Sequence, residues 1–427
     1  MERTVITNFL EAHGFYRDLD LSALAQSVRN DMIARFLGKK SDQDMICTFI
    51  DPSSIEISEK SVIVIDAGGT NFRSSLVTFS KDGSYSVSGF EKTKMPGVEK
   101  ELSKKEFFDA ISANISRFKD TASEICFCFS YAMTITEEKD GVLISFAKEV
   151  KAPEVVGCHI GAELKKSLKE NGWTKIPEVI LLNDTASALL AGSGSKKYSS
   201  FIGFILGTGL NAAYLQPANK EYELKKQIVV CESAKFSGFK NSDFDIFLDE
   251  KSVKPGSAPF EKLCSGAYVG PLALETLQFA AKEKIFSEEF SDAVLNRKSL
   301  TLIEVSGFLE NSNPEKCEFS DLFDSDGATD ADLKNIFEIF DALVNRMAQL
   351  SAVIIAACLV QCEEGKNSSN PVFVSCNGSS FFKSYRVYER TKQYLDEILE
   401  KLPQKIYYEL SSEEADITRG TAMAAFV

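Results

Sequence analysis

The chain has 427 residues, of which 44% are hydrophobic and 26% charged. That is the balance of a globular protein, long enough for a large core and an expected split into two lobes. Its formal net charge of −14 argues against non-specific binding to nucleic acid or to an anionic membrane, though a local basic pocket is still allowed.

No apolar run approaches the length of a membrane-spanning helix, and Met1-Glu2-Arg3-Thr4 does not open an export signal, so the expected location is the cytoplasm. The ten cysteines are scattered without a CxxC pair, which points to buried reduced thiols and not to a zinc ribbon or a thioredoxin site. With only two histidines, His13 and His159, acid–base work must fall to carboxylates or lysines.

In chain order, residues 1–40 read as helical, with apolar residues at helical spacing from Ser22 to Leu37 and Gly38 as the stop. Met45–Ile50 leads through a Pro/Ser turn into Ser61–Ile65, a β-branched run that ends in Asp66-Ala67-Gly68-Gly69-Thr70-Asn71-Phe72-Arg73. Leu76-Val77 follows, so the stretch predicts a hairpin with a glycine turn. Such a turn lets the backbone approach a ligand closely, and its amides can hold phosphate oxygens. Asp66, at the strand end, has the chemistry to hold Mg²⁺ directly or through water.

Further on, the pattern predicts strands at Ser84–Ser88, Glu124–Phe129, Val142–Ile144 and Val179–Leu182. It predicts helices over Lys104–Phe118, over Val155–Lys169 with a break near Gly157, and from Thr185 to Ala191. A hairpin followed by βαβ units is an α/β pattern. The second half restates the opening: the strand Phe201–Leu206, then Gly207-Thr208-Gly209-Leu210-Asn211, then Ala212–Leu215. Two such loops could grip one polyphosphate from opposing lobes. Residues 270–400 read as mostly helical, with a strand at Val372–Ser375 and a polar loop over Glu363–Asn370.

Asn183-Asp184-Thr185 sits at the carboxyl end of the Val179–Leu182 strand, where α/β sheets place ligands. Helix N-capping alone would favour the same residue types there. The functional reading makes Asp184 a general base that takes a proton from an attacking hydroxyl, with burial and a nearby phosphate raising its pKa. Two phosphate loops, Asp66 and Asp184 supply the parts that phosphoryl transfer requires.

With these pieces in place the chain resembles the hexokinase family over most of its length. Met45–Ile50 resembles MLPTFV, Asp66–Arg73 resembles DLGGTNFR, and Glu106–Asp109 resembles ELFD. Phe127–Ala132 resembles FTFSFP, Asn183–Thr185 resembles NDT, and Gly207–Tyr214 resembles GTGTNACY. Pro255-Gly256 with Phe260–Lys262 and Ser265-Gly266, Asn377–Ser379, and Gly420–Ala422 resemble PG…FEKMISG, DGS and GAAL.

The resemblance implies a two-lobed, actin-like (ribonuclease-H-like) α/β fold with a cleft. Residues 1–60 would be a helical part of the large domain, 61–191 the small domain, 192–410 the large domain, and 411–427 a helix returning to the small domain. It implies an ATP-dependent hexose 6-kinase, glucose foremost, with ATP and Mg²⁺ as cofactors and no nucleic acid or membrane partner, acting as a monomer or homodimer. Asp184 would be the base, and Ser130, Lys148, Asn183, Asn211, Glu232 and Glu261 would bind the sugar. Asp66, Gly68, Gly69, Thr70, Asn71, Arg73, Thr208, Gly209, Asn377, Gly378 and Ser379 would serve the nucleotide and its metal, with Asp66 as the metal residue.

Two departures bear on the sugar site, Ala147 for a threonine and Ser233-Ala234 for Trp-Gly, and a third, Asn377 for an acid, falls on the nucleotide side. The alternatives are a non-catalytic sugar sensor on the same scaffold and an actin-like ATPase that binds no sugar.

Overall fold

A computed structural model describes residues 4–146 and 149–427. Its strands are β1 (Ile46–Cys47), β2 (Lys60–Gly68), β3 (Asn71–Phe79), β4 (Tyr85–Lys94), β5 (Glu124–Phe129), β6 (Ala132–Ile135), β7 (Gly141–Ser145), β8 (Glu178–Leu182), β9 (Ser200–Leu206), β10 (Leu210–Gln216), β11 (Gln227–Val230), β12 (Val372–Asn377) and β13 (Tyr408–Leu410). They form a five-stranded sheet in the order β4-β3-β2-β5-β8, a six-stranded sheet in the order β1-β11-β10-β9-β12-β13, and a two-stranded ribbon, β6-β7.

Both large sheets follow one plan. An antiparallel meander (β2-β3-β4; β9-β10-β11) continues into two parallel strands (β5, β8; β12, β13). The meanders need only short turns, and the parallel strands need longer crossovers. This is the repetition already visible in the two strand–glycine–strand stretches.

The run Val62–Ile65 is fully apolar because β2 is covered on both faces. Side chains alternate across a strand. Ile63 and Ile65 therefore pack with Phe107, Ile111, Leu164 and Leu168 of the helices Lys104–Asn114 and Ile160–Glu170. Val62 and Val64 turn the other way, into a core with Leu189, Leu190, Ala422 and Met423, from the helices Asp184–Ala191 and Ile417–Met423. Phe201, Ala213, Ile228 and Val230 of the six-stranded sheet join that same core, so these two helices lie between the sheets.

The contact is at backbone distance. A Cβ on Gly203 of β9 would lie 2.4 Å from the Thr185 carbonyl oxygen, and one on Gly420 would lie 1.9 Å from that of Ser187. The Thr421 hydroxyl adds a 3.0 Å bond to the Ser187 hydroxyl.

The remaining core surrounds a 32-residue helix, Asp330–Gln361, capped by Thr329 and Asp332. This helix corrects the expectation that no apolar run reaches membrane-spanning length. An 18-residue window within it has a mean hydropathy of 1.8, and 89% of that window is buried inside the protein. Arg346 interrupts the run in the sequence. In the fold its guanidinium is buried, and it donates to both carboxylate oxygens of Asp245 at 2.9 and 2.7 Å.

Other elements differ from expectation in length. The helix expected over Lys104–Phe118 ends at Asn114 and is followed by a 3₁₀ turn, Ser116–Phe118. The one expected over Val155–Lys169 is a 3₁₀ turn, Pro153–Val155, followed by Ile160–Glu170. Strand β4 is longer than Ser84–Ser88 because it is an edge strand exposed along nearly its whole length, with no burial alternation to mark it. Strands β6, β11 and β13 are additional, and each is short.

The glycine contacts make a two-sided prediction. Gly420→Ala forces a methyl group against a fixed carbonyl and should lower unfolding stability by at least about 1–3 kcal/mol. Gly307, inside the helix Leu302–Glu310, has nothing within 4 Å of its Cβ position. Gly307→Ala should therefore raise stability by about 0.5–1 kcal/mol through the lost glycine entropy. Urea titration of both variants reads the opposite signs.

Candidate active site

The first glycine loop is the turn between β2 and β3. Gly68 pairs with Asn71 at the end of the ladder, and Gly69 (φ +58°) and Thr70 make the turn. Its two carbonyls are held: the Met95 amide donates to the Thr70 oxygen and the Tyr131 hydroxyl to the Gly69 oxygen, both at 2.9 Å. Among the described residues, neither the Gly69 nor the Thr70 amide donates to another backbone carbonyl outside the ladder. Directly opposite each other in the ladder, Arg73 donates to Asp66 at 2.7 Å. The expected phosphate arginine and metal carboxylate thus neutralise one another.

The second loop joins β9 to β10. The Gly207 amide donates to the Gly209 oxygen at 3.0 Å, and the Gly207 oxygen accepts from the Gly266 amide (2.9 Å) and the Ser380 hydroxyl (3.0 Å). A Cβ at 209 would lie 2.6 Å from Glu261 Oε2 and would displace that carboxylate. That oxygen accepts from the Leu210 amide at 3.0 Å, so the loop seats Glu261. Thr208 is exposed. Gly378 (φ +116°) packs on the loop's far side, with a would-be Cβ 2.3 Å from the Leu206 oxygen. Beside it, the Asn377 amide group donates to the Ala415 oxygen at 2.9 Å, and Ser379 opens the short helix Ser379–Lys383.

Between the loops, β8 runs into the helix that starts at Asp184. Asn183 makes the cap, its Oδ1 accepting from the Ala186 amide at 2.8 Å. Asp184 is therefore free of the capping duty that its residue type would also suit. Its pKa is raised. Burial is the main cause and the negative charge of Asp66 adds to it, against hydrogen bonds from Thr185 that pull the other way.

A cleft of about 700 Å³ gathers the expected residues. Ser130, Asn183 and Asp184 line it from the five-stranded sheet, and Thr208, Gly209, Asn211, Glu232 and Glu261 line it from the other side. Asn211 donates to Glu232 at 2.8 Å, while its own Oδ1 accepts from the amides of Ala212 (2.8 Å) and Ser233 (3.3 Å). This bond seats Glu232 in the cleft although Ser233-Ala234 follows it. The Glu232 backbone is left-handed (φ +58°), uncommon for a non-glycine residue and found at functional sites.

Burial raises the pKa of Glu232, helped by Asp44 and Asp184, and raises that of Glu261, helped by Glu232. Three crowded carboxylates with raised pKa values in one cleft are the signature of a site that binds or reacts.

Asp66, Gly68, Gly69, Thr70, Asn71 and Arg73 are not among the cleft's lining residues, but they abut it. The Ser130 amide donates to the Ala67 oxygen at 2.9 Å, and a Cβ on Gly68 would lie 3.2 Å from that of Ser130. Asn377, Gly378 and Ser379 lie behind the second loop, also off the lining. Lys148, and Ala147 beside it, lie outside the described residues. Sequence reasoning assigned no role to Tyr131, Asp44 or Lys235, which also line the cleft, the last two as an ion pair. Their one signal was adjacency: Tyr131 follows Ser130, and Lys235 lies one turn beyond Glu232.

Two family models, both described as hexokinase, match residues 9–193 and 201–427. Hexokinase-7 of Oryza sativa subsp. japonica is 28% identical over 373 residues, 79% of this chain and 78% of its own length. Hexokinase-1 of Spinacia oleracea is 26% identical over 416 residues, 89% of this chain and 82% of its own. The solved structure of hexokinase from Schistosoma mansoni complexed with glucose matches with a TM-score of 0.76 at 21% identity, over 98% of both chains, a likeness of fold.

The carboxylates make a pH prediction. A raised native pKa means that the folded state holds the proton more tightly than the unfolded one. The stability this adds is complete below the ordinary carboxylate range and is lost as pH rises through the native value. Asp184→Asn removes that loss. Its melting temperature should exceed the wild type's at pH 8, and the gap should close as pH falls toward 4, read by calorimetry at both pH values.

Proposed function

We propose that this chain, which belongs to the hexokinase family and is an ATP-dependent hexose kinase, phosphorylates glucose foremost, at the 6-hydroxyl, with Asp184 as the general base. The observation that carries this reading is Asp184 itself: released from capping by Asn183, facing the cleft, and raised in pKa among hydrogen-bonding groups. As the sugar oxygen bonds to the γ-phosphorus, its proton passes to the Asp184 carboxylate, and the bond to the β–γ bridging oxygen breaks to leave ADP.

Glu232 and Glu261 supply acceptors for sugar hydroxyls and Asn211 the remaining N–H of its amide, its oxygen being taken by two backbone amides, with Ser130, Asn183 and Lys148 completing the set. Carboxylates accept only, which suits a polyol whose hydroxyls all donate. The glucose bound by the Schistosoma mansoni hexokinase supports the choice of sugar. The phosphates would lie on the Gly68–Asn71 turn with Arg73 and on Thr208 and Gly209, with the adenosine toward Asn377, Gly378 and Ser379.

The residues fit Mg²⁺. Asp66 places negative charge beside Asp184, enough to help raise its pKa, and a divalent cation would relieve it. Mg²⁺ needs only one or two carboxylates when phosphates and water complete its shell. Asp66 would hold the ion, directly or through water, and the ion would neutralise charge on the transferring phosphoryl group. The ten free thiols support a reducing location, the cytoplasm.

Asp184→Ala should lower kcat by about 10²–10⁴-fold or more, while calorimetric glucose affinity changes only a few-fold. Turnover close to wild type would remove Asp184 from this role. A panel of hexoses with Mg-ATP in a coupled assay should show glucose with the highest kcat/KM, and excess EDTA should abolish transfer. Sugar binding with no transfer by the wild type would instead favour a sensor.

A further inference from the structure

We propose that the Tyr131 hydroxyl is a positioning group for phosphoryl transfer, one that aims the phosphate turn by holding the carbonyl of Gly69. The proposal rests on the kinase reading above.

A peptide unit is planar, so the Gly69 carbonyl and the Thr70 N–H point in opposite directions within one rigid plane. Whatever holds that oxygen sets the direction of the Thr70 amide, one of the turn donors left free for a phosphate. The next plane is fixed in the same way, because the Met95 amide holds the Thr70 carbonyl and so orients the Asn71 N–H. The Met95 bond comes from the backbone and survives any substitution except proline. The Tyr131 bond comes from a side chain and does not.

The turn needs this second anchor. Gly69 has a positive φ, no Cβ, and nothing within 4 Å of where one would be, so packing does not restrain its plane.

Tyr131 is built to hold it. The side chain is buried, with its ring edge-on to Phe129 and Phe146 at centroid distances of 4.7 and 5.2 Å. Burial, together with the negative charges of Glu149 and Asp66, pushes its pKa well above the ordinary tyrosine range, so the hydroxyl remains a donor at any working pH. Tyr131 also follows Ser130 and lines the sugar cleft. One residue therefore borders the cleft and holds the glycine turn with its hydroxyl.

The test is Tyr131→Phe, which keeps the ring and its packing and removes only the oxygen. The measurements are kcat, KM for Mg-ATP, KM for glucose and melting temperature, with calorimetric titration of Mg-ADP in the presence and absence of glucose. The expected result is a rise of about 3- to 10-fold in KM for Mg-ATP, the weight of one hydrogen bond. KM for glucose should stay within two-fold and the melting temperature within a few degrees. Any tightening of Mg-ADP by glucose in the wild type should be smaller in the variant. Equal changes in both KM values, a change in neither, or a rise confined to glucose overturns the proposal. Hexose phosphorylation by the wild type is the separate control: its loss would strike the kinase reading, whereas an active wild type beside an unselective variant strikes only Tyr131.

Discussion

The close approach of the Asp184–Ala191 helix to its two neighbours is the constraint on which the rest depends. Gly203 of one sheet and Gly420 of the returning C-terminal helix bring their Cα atoms to where a methyl group would strike the helix backbone. Contacts of this kind fix position along and around the helix axis far more tightly than side chains, which can repack. They also place Asp184 at the seam between the two sheets, so its register is set by both. A phosphoryl-transfer site needs this, since its chemistry is mostly positioning.

The site is also arranged against stability. Asp184, Glu232 and Glu261 each carry a pKa raised by burial, and each feels another carboxylate, so their ionisation at neutral pH works against folding. The bonds that seat them partly offset this: Thr185 to Asp184, Asn211 to Glu232, and the Leu210 amide to Glu261. A protein selected only for stability would replace such a cluster with neutral groups. Its presence in one cleft is an argument for function from energetics alone.

Much of this was legible in the sequence because it is carried by backbone requirements. Gly68-Gly69 and Gly207–Gly209 punctuate buried apolar runs, and the doubled sheet plan follows from them. Asp184 was legible as a strand-end acid, but its freedom from capping was not: Asn and Asp both cap helices, and only geometry shows Asn183 doing so. Strand β4 was read too short because an exposed edge has no inside face to set a pattern. The long helix was misjudged because Arg346 breaks the hydropathy run, while its partner Asp245 is distant in sequence and close only in the fold. Tyr131 was marked only by its adjacency to Ser130, since its partner is a carbonyl oxygen, which every residue has.

The Asp66–Arg73 pair shows how the first loop suits a metal-bound polyphosphate under this reading. Both partners are part-exposed, so the pair is of the weak surface kind, contributing at most about 1 kcal/mol. A phosphate alone would draw Arg73 away and leave Asp66 facing anionic oxygens. A cation alone would compete with Arg73 for Asp66. A magnesium–phosphate complex would offer a partner to each at once, exchanging one weak ion pair for two charge-assisted contacts. Under that reading the loop's electrostatics would favour the metal complex over either component, through residues that face each other across one rung of a β-ladder.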